Sequence, residues 1–513
     1  MSNFIRMLAQ SEAYHSMNGL YSGRAVRAAG PLDLEALSAA ASALGVAHPV
    51  LSCRIGRDEE GRPVLVEGSG SDFRLSHYEG RSEDRTAGMP PLDVRVGAVH
   101  VVRHDAETWS LTLMTHHSMV DGRHMLKVLA DLWSFYTEAA AGRTLQPRSH
   151  GIPRPLEELL AERGVEIPEH HQDHQEELTA DTDLEAAQEG AGAAEVTMPR
   201  FTASPQAEDA DGHPVWRRVV LTSVETQALA AVARGGRTTV NGVVSAALML
   251  STAEDTGIAV QDLVHVAAVD LRQQFSPPIA PAECTNGIAA AVYCDADPDA
   301  DLLTLARAIT ETVRDDLTTG RSLKFIGMTP SLQELFMTSV GRIVGTTNVG
   351  AIPRLARPAG VELVDYHRFE QLITPHGVDN PMFAVSIFEG RLHIDSTLPE
   401  SVLNGLDRRI RELITIGTGH NAVDAGTTAT APVPQEFCDV VLPHLPYNES
   451  GTLKADDELG TLGLDSMGGV QLMSVLETTY NVTLSDDIVA EVTFATVGSL
   501  WSEVAAALVA AQE

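Results

Sequence analysis

Residues 109–122 read WSLTLMTHHSMVDG. Trp109, Leu111, Leu113 and Thr115 recur at every second position, the period of a strand. That strand runs straight into His116 and His117, whose side chains should leave it on opposite faces. One imidazole can then meet a substrate while the other packs inward. A neutral imidazole titrates near cellular pH, so it suits general-base work on a hydroxyl or an amine. Asp121 falls where the chain should turn into a helix, expected from about residue 123 to 140 with Met125, Leu129, Leu132 and Tyr136 on one stripe. A carboxylate there can pair with an arginine and hold the turn, and Gly122 is expected to supply the turn's backbone angle. Taken singly, paired histidines are commonly structural and Asp-Gly is ordinary turn chemistry. The four fixed positions together point to chemistry.

Outward from this stretch the chain alternates strand and helix. Residues 92–103 (LDVRVGAVHVVR) read as a second strand, closed into a hairpin by residues 104–108. Residues 33–44 (DLEALSAAASAL) read as a helix capped by Asp33. A second α/β region follows, with a helix at 239–251, a strand at 264–271, a hairpin at 383–395 and a closing helix at 408–416. Five units result: an N-terminal lobe (1–150), an acidic crossover (151–215), a C-terminal lobe (216–420), a linker (421–433) and a small helical unit (434–513). The crossover is dense in Glu, Asp and Gln and carries His170, His171 and His174. No third ligand joins two of these on one helix face, so a solvated surface and no metal are expected.

Over 513 residues, 36 Lys and Arg stand against 70 Asp and Glu, a formal net charge of −34. Such a field repels phosphate backbones, and nucleic-acid binding is not expected. Cys53, Cys284, Cys294 and Cys438 lie far apart with no CxxC pair, as in a reducing compartment. No secretory h-region and no run of about 20 apolar residues is present, so a cytoplasmic protein without a membrane span is expected.

HHSMVDG fits the HHxxxDG signature, and the chain resembles the condensation-domain and chloramphenicol-acetyltransferase-like acyltransferases. IRMLAQSE, LEALSAAASALGVAHPVLSCRI, FYTEAAAG and VDLRQQFSPPIAPAECTN extend the resemblance to the polyketide-associated group, which includes the phthiocerol/phthiodiolone dimycocerosyl transferases. It spans about residues 4–415. It implies an α/β fold of two similar lobes around a solvent channel. His117 would be the general base, open to the channel. His116 would orient the loop, and Asp121 would be structural through an ion pair, with Arg272 on a second-lobe strand as the expected partner. Residues 346–350 (TTNVG) resemble the family's strand near the channel, where Asn348 could donate to an oxyanion; a plain strand-end turn is the competing reading. The DFGWG motif of the plant acyltransferases is absent, which argues against a plant-type member. No serine or cysteine sits beside a base in a nucleophile elbow, so direct transfer without an acyl-enzyme is expected.

The last unit carries ELGTLGLDSMGGVQL at residues 458–472. Ser466 stands before an apolar-periodic helix, and either Asp465 or Ser466 would serve as an ordinary N-cap. From residue 434 onward there are 13 acidic residues and one basic one, Lys454. The whole unit resembles an acyl carrier protein, and Ser466 matches the serine that receives 4′-phosphopantetheine. A helix N-terminus stabilises such a phosphate, and an acidic surface suits docking on basic patches of partner enzymes.

The resemblance implies an acyltransferase moving an acyl group from a phosphopantetheine thioester, on a carrier or coenzyme A, to a hydroxyl or amine. A phosphopantetheinyl transferase and other enzymes docking on the carrier are the implied partners. Amide-forming condensation of the peptide-synthetase type and a non-catalytic carrier-docking platform are the alternatives.

Overall fold

The computed structural model describes residues 4–17, 19–69, 72–167, 215–275, 277–326, 335, 338–372, 383–420, 433–445, 447–448, 451–464, 466–482, 484 and 496–510. His170, His171 and His174, most of the crossover and nearly all of the linker lie outside them.

The strand that ends in the paired histidines, β7 (Thr108–His116), is buried over all but its first residue. It lies inside a five-stranded sheet of order β12-β2-β7-β6-β5, formed with β2 (Leu20–Ala29), β5 (Leu75–Arg81), β6 (Gly97–Arg103) and β12 (Glu362–Leu372). Leu111 and Leu113 pack toward the helices Leu34–Ala47 and Gly122–Ala140, and Met114 packs on the other face with Tyr21, Ala25 and Phe369. Both faces of the strand are covered, so Met114 is apolar although it lies opposite the Trp109–Leu113 face, while buried Ser110 and Thr112 keep the alternation visible. β6 starts at Gly97, later than expected, because Asp93 takes a left-handed φ of 48° in a turn in which Arg95 donates to the Leu92 carbonyl.

β12 comes from the second half of the chain, yet it is the edge strand of this first sheet. It runs antiparallel to β2, with Tyr366 opposite Val26, Arg368 opposite Arg24 and Glu370 opposite Ser22. β2 in turn sets Tyr21 opposite His116 on β7. A small sheet, β1 (Phe4–Met7), β4 (Pro63–Val66) and β3 (Arg54–Arg57), completes this half.

The second half builds a mixed six-stranded sheet, β10-β9-β11-β13-β14-β8. Its strands are β8 (Arg217–Val220), β9 (Val264–Asp270), β10 (Ile288–Tyr293), β11 (Ile343–Ala351), β13 (Phe383–Phe388) and β14 (Arg391–Ser396). Helices Ser223–Gly235, Val240–Thr256, Leu302–Thr318 and Glu400–His420 surround a separate core of Val243, Leu248, Leu305, Val385, Ile394, Leu406 and Ile410. The closing helix is longer than residues 408–416 because Val402, Leu403 and Leu406 extend its buried stripe toward the N-terminus.

Residues 433–510 form a third core from Phe437, Val441, Leu459, Leu472, Leu476, Val497, Leu500 and Val504. They lie on the helices Gln435–Val441, Ser466–Tyr480 and Val497–Ala510 and the turns between them. No helix among the described residues is long and apolar enough to cross a membrane.

Candidate active site

The motif loop is fixed at both ends by backbone hydrogen bonds. His116 N–H donates to the Val96 carbonyl and His117 N–H to the Leu20 carbonyl, each at 2.8 Å. The loop then turns into the helix Gly122–Ala140, and Asp121 caps it by accepting from His124 N–H at 3.0 Å.

The two imidazoles differ. His116 is buried, edge-on to Tyr21 at 4.8 Å, and its Nδ1 accepts from Ser118 N–H at 3.2 Å. That bond fixes the neutral tautomer with its proton on Nε2. Burial, then the neighbouring His117, pushes its pKa down to about 3. His117 is 9% exposed and its ring stacks on His15 at 4.2 Å. Its Nδ1 has no hydrogen-bond partner among the described residues. Burial holds this imidazole below the usual histidine value, while Glu370 and Asp121 pull it up. The ring is therefore neutral at pH 7, as a base must be, but it is far more enclosed than a ring open to solvent.

Asp121 holds three groups at once. Besides the helix cap, its Oδ2 accepts from Arg272 Nη1 at 2.7 Å and from Gly287 N–H at 2.8 Å. Arg272 is the arginine expected from sequence, but β9 ends at Asp270, so it stands on the short 3₁₀ turn Arg272–Gln274. That turn brings Asp270 Oδ1 to within 3.1 Å of the same guanidinium, whose Nη2 also donates to the Cys284 carbonyl at 3.1 Å. Burial works against the Arg272 charge, but Asp121 and Asp270 outweigh it and raise its pKa.

Gly122 is not needed for an unusual backbone angle, since its φ is not positive. It is needed for space. A Cβ there would stand 3.0 Å from Val349 Cγ1, on the strand that passes the start of the helix. Asn348, on that same strand, gives its Nδ2 to Asn241 Oδ1 at 3.2 Å and accepts from Gly350 N–H at 2.8 Å. Its amide thus bonds the helix Val240–Thr256 and its own strand.

Residues 284–287 are a second anchor that the sequence did not reveal. Asn286 Nδ2 donates to the Ser118 carbonyl and Thr285 Oγ1 to Glu12 Oε1, both at 2.8 Å. Glu12 is itself held by Arg6 at 2.6 and 2.7 Å. These are long-range contacts of common polar residues, so no local pattern announces them. Arg368 and Glu370, whose charges act on His117, were also unpredicted, as was Arg24 opposite Arg368, because only the strand register brings them together.

One further cluster outside the motif loop offers metal-ligand atoms. His48, Asp131 and His150 place theirs within 4.8 Å of one another. The Asp131 carboxylate already binds Lys127 Nζ and His48 Nε2, each at 2.7 Å. An ammonium on the same carboxylate repels a cation, so the cluster serves as a hydrogen-bonded link to the helix Gly122–Ala140.

The carrier unit meets this site. Its helix Ser466–Tyr480 lies beside the turn Arg272–Gln274. Tyr447 packs against the first core, with its hydroxyl 3.5 Å from the Arg123 carbonyl. Ser466 is the first residue of that 15-residue helix, and no acidic residue stands in its first turn. The free amides of a first turn suit an esterified phosphate, so these residues fit a phosphopantetheine arm.

The comparisons with known proteins agree with this architecture. Residues 210–397 match the family model described as phthiocerol/phthiodiolone dimycocerosyl transferase C-terminus, and residues 445–502 match the phosphopantetheine attachment site. A curated relative from Mycobacterium ulcerans (strain Agy99), the phthiocerol/phthiodiolone dimycocerosyl transferase, is 29% identical over 397 residues, covering 76% of this chain and 91% of the relative. Among solved structures, polyketide synthase associated protein 5 from Mycobacterium tuberculosis superposes with a TM-score of 0.65 at 24% identity, over 82% of this chain and 99% of the other. The first condensation domain of the calcium-dependent antibiotic synthetase gives 0.53 at 17% identity, over 84% and 100%. Both structures share the fold. Fold, motif and domain matches together read as an acyltransferase similar to the phthiocerol/phthiodiolone dimycocerosyl transferases, with a phosphopantetheine attachment domain at residues 445–502.

Proposed function

We propose that the protein transfers an acyl group from a carrier-bound phosphopantetheine thioester to an acceptor hydroxyl in the cytoplasm, with His117 as general base and Ser466 as the site of the arm. The observation that carries this reading is the neutral His117 ring, held beside an interlobe ion pair against which the chain's own carrier helix rests. Resemblance to ester-forming acyltransferases favours a hydroxyl over an amine. When bound, the arm supplies an activated thioester. His117 offers an unprotonated nitrogen to the acceptor O–H, takes its proton as the new C–O bond forms, and returns it to the departing thiolate. His116, fixed by Tyr21 and Ser118, and Asp121, fixed by Arg272, position that ring without touching substrate. Gly122 lets β11 approach the loop. A phosphopantetheinyl transferase must modify the chain first, and enzymes that load or unload the carrier are its further partners.

The test separates the two sites. Incubation with a phosphopantetheinyl transferase should add the arm to wild type and to His117→Ala, but not to Ser466→Ala, as read by intact mass. Loaded with acyl groups and offered hydroxyl acceptors, His117→Ala should transfer about 10²–10⁴-fold more slowly than wild type. Undiminished transfer by that variant would return the lobes to a docking role, and an arm on Ser466→Ala would overturn the carrier assignment.

A further inference from the structure

Arg24 and Arg368 face each other across the β2–β12 ladder, two register positions from Ser22 and Glu370 and on the same face. Arg24 is fully buried and Arg368 is 4% exposed. Like charges directly opposite on neighbouring strands destabilise a sheet, and burial away from water makes this worse. Arg368 has a counter-charge in Glu370, at 3.1 Å. Arg24 has no carboxylate within ion-pair range among the described residues; its Nη1 donates only to the carbonyl of Gly23, at 2.9 Å. Among the described residues, four guanidinium nitrogens, Arg24 Nε and Nη2 and Arg368 Nε and Nη1, are buried without a hydrogen-bond partner. The Tyr366 hydroxyl, on the same face of β12, is unpartnered too.

A sheet does not keep two enclosed guanidiniums side by side for stability when Arg24 has one carbonyl and Arg368 one carboxylate to repay desolvation. On Arg24 the two free donors, Nε and Nη2, form the planar fork that matches a carboxylate, and Arg368 adds single donors beside it. Their place relates them to the reaction. His117 N–H is bonded to Leu20 at the start of β2, and Arg24 lies four residues further along that strand, about 13 Å at strand spacing. Arg368 and Glu370 are among the charges that act on the His117 ring.

We propose that Arg24 and Arg368 form a recessed carboxylate-binding site, which selects a substrate bearing an anionic group remote from the acyl-transfer centre. The proposal rests on the acyltransferase reading and adds the chemical class of one substrate. The carboxylate is borne either by the acyl chain at the end away from the thioester or by the acceptor away from its hydroxyl. Bound there, its oxygens accept from free nitrogens of both guanidiniums and add a close partner to the negative charge that Glu370 and Asp395 supply to Arg24 from beyond ion-pair range. Arg24 and Arg368 are thus specificity residues, and His117 remains the base.

Calorimetry on the full-length protein tests this without turnover. In the donor arm, pantetheine thioesters of dicarboxylic acids of increasing length are compared with their terminal methyl esters. In the acceptor arm, ω-hydroxy acids are compared with their methyl esters. In one arm the free carboxylate should bind at least about 30-fold more tightly than the ester, and the arm that discriminates names the substrate. Arg24→Met and Arg368→Met should abolish that preference and leave ester binding unchanged. Arg24→Met should not lower the denaturation midpoint, because it removes an unpaired buried charge of similar volume. Arg24→Lys, which keeps charge without the fork, should retain only part of the preference. His117→Ala should bind the carboxylate as wild type does, so failure of the base assignment and failure of this site read out separately. Equal binding of acid and ester in both arms, or a preference that survives both methionine variants, overturns the proposal.

Discussion

Arg272 Nη1 lies 2.7 Å from Asp121 Oδ2, and both side chains are essentially sealed from solvent. This ion pair joins the strand-to-helix turn of the histidine motif to the second sheet. Its attraction must exceed the cost of burying two charges, and the added bonds from Gly287, His124, Asp270 and Cys284 make that balance favourable.

Removing one partner leaves the other charge buried and alone. Arg272→Met is expected to destabilise the acyltransferase unit by about 3–5 kcal/mol, read from urea denaturation. Asp121→Asn should act in the same direction. Unchanged midpoints for both would show that the pair is not structural.

Two glycines beside this pair should respond differently to alanine. A Cβ on Gly287 would stand 2.3 Å from Arg272 Nη1 and must displace the guanidinium. A Cβ on Gly122 would meet only the tip of Val349, at 3.0 Å. Gly287→Ala should therefore lose most of what Arg272→Met loses, and Gly122→Ala should cost about 1 kcal/mol or so. Parallel thermal melts of the two variants check the order.

Stability should fall with acid from about pH 6.5 downward. Burial lowers His116 to about 3 and His265 and His393 each to about 4. The unfolded chain, with ordinary histidines near 6.5, takes up these protons first. Each such histidine therefore contributes stability that is fully present above the unfolded value and is lost as pH falls toward the folded one, by up to about 1.4 kcal/mol per pH unit. Because burial also lowers His117, the acid limb of the transfer rate should lie below pH 6.5. Denaturation and single-turnover transfer between pH 4 and 8 measure both.

Tyr447 belongs to the carrier unit yet packs on the acyltransferase core. Tyr447→Ala should slow transfer from the chain's own carrier several-fold. Transfer from a small pantetheine thioester, which needs no docking, should be unaffected. Equal slowing of both would place Tyr447 in a general folding role instead.

The motif was legible because its spacing is local. Strand, paired histidines, capping aspartate and following helix occupy one continuous stretch, so composition and period expose them together. The carrier helix was legible for the same reason. Gly122 was expected to supply a turn angle, but its φ is ordinary and what constrains it is close approach by β11, a property of packing. Arg24 and Arg368 carry no signal in a single sequence, and Thr285 and Asn286 stood out only as the end of the block VDLRQQFSPPIAPAECTN, without a role. They are ordinary polar residues within strands or loops until the sheets form.

Sequence alone determined the acyltransferase and phosphopantetheine-attachment readings, singled out His117 and Ser466 as their candidate residues, and displayed the α/β and helical patterns that hold them. Tertiary structure decided the surroundings. It carried β12 back to the first sheet, set Arg368 against Arg24, and drew Asp121, Arg272 and Gly287 into one buried cluster. Local pattern follows from periodicities of two and 3.6 residues, which a chain displays in order. Pairing between residues hundreds of positions apart follows from register and burial, which exist only once the chain has folded.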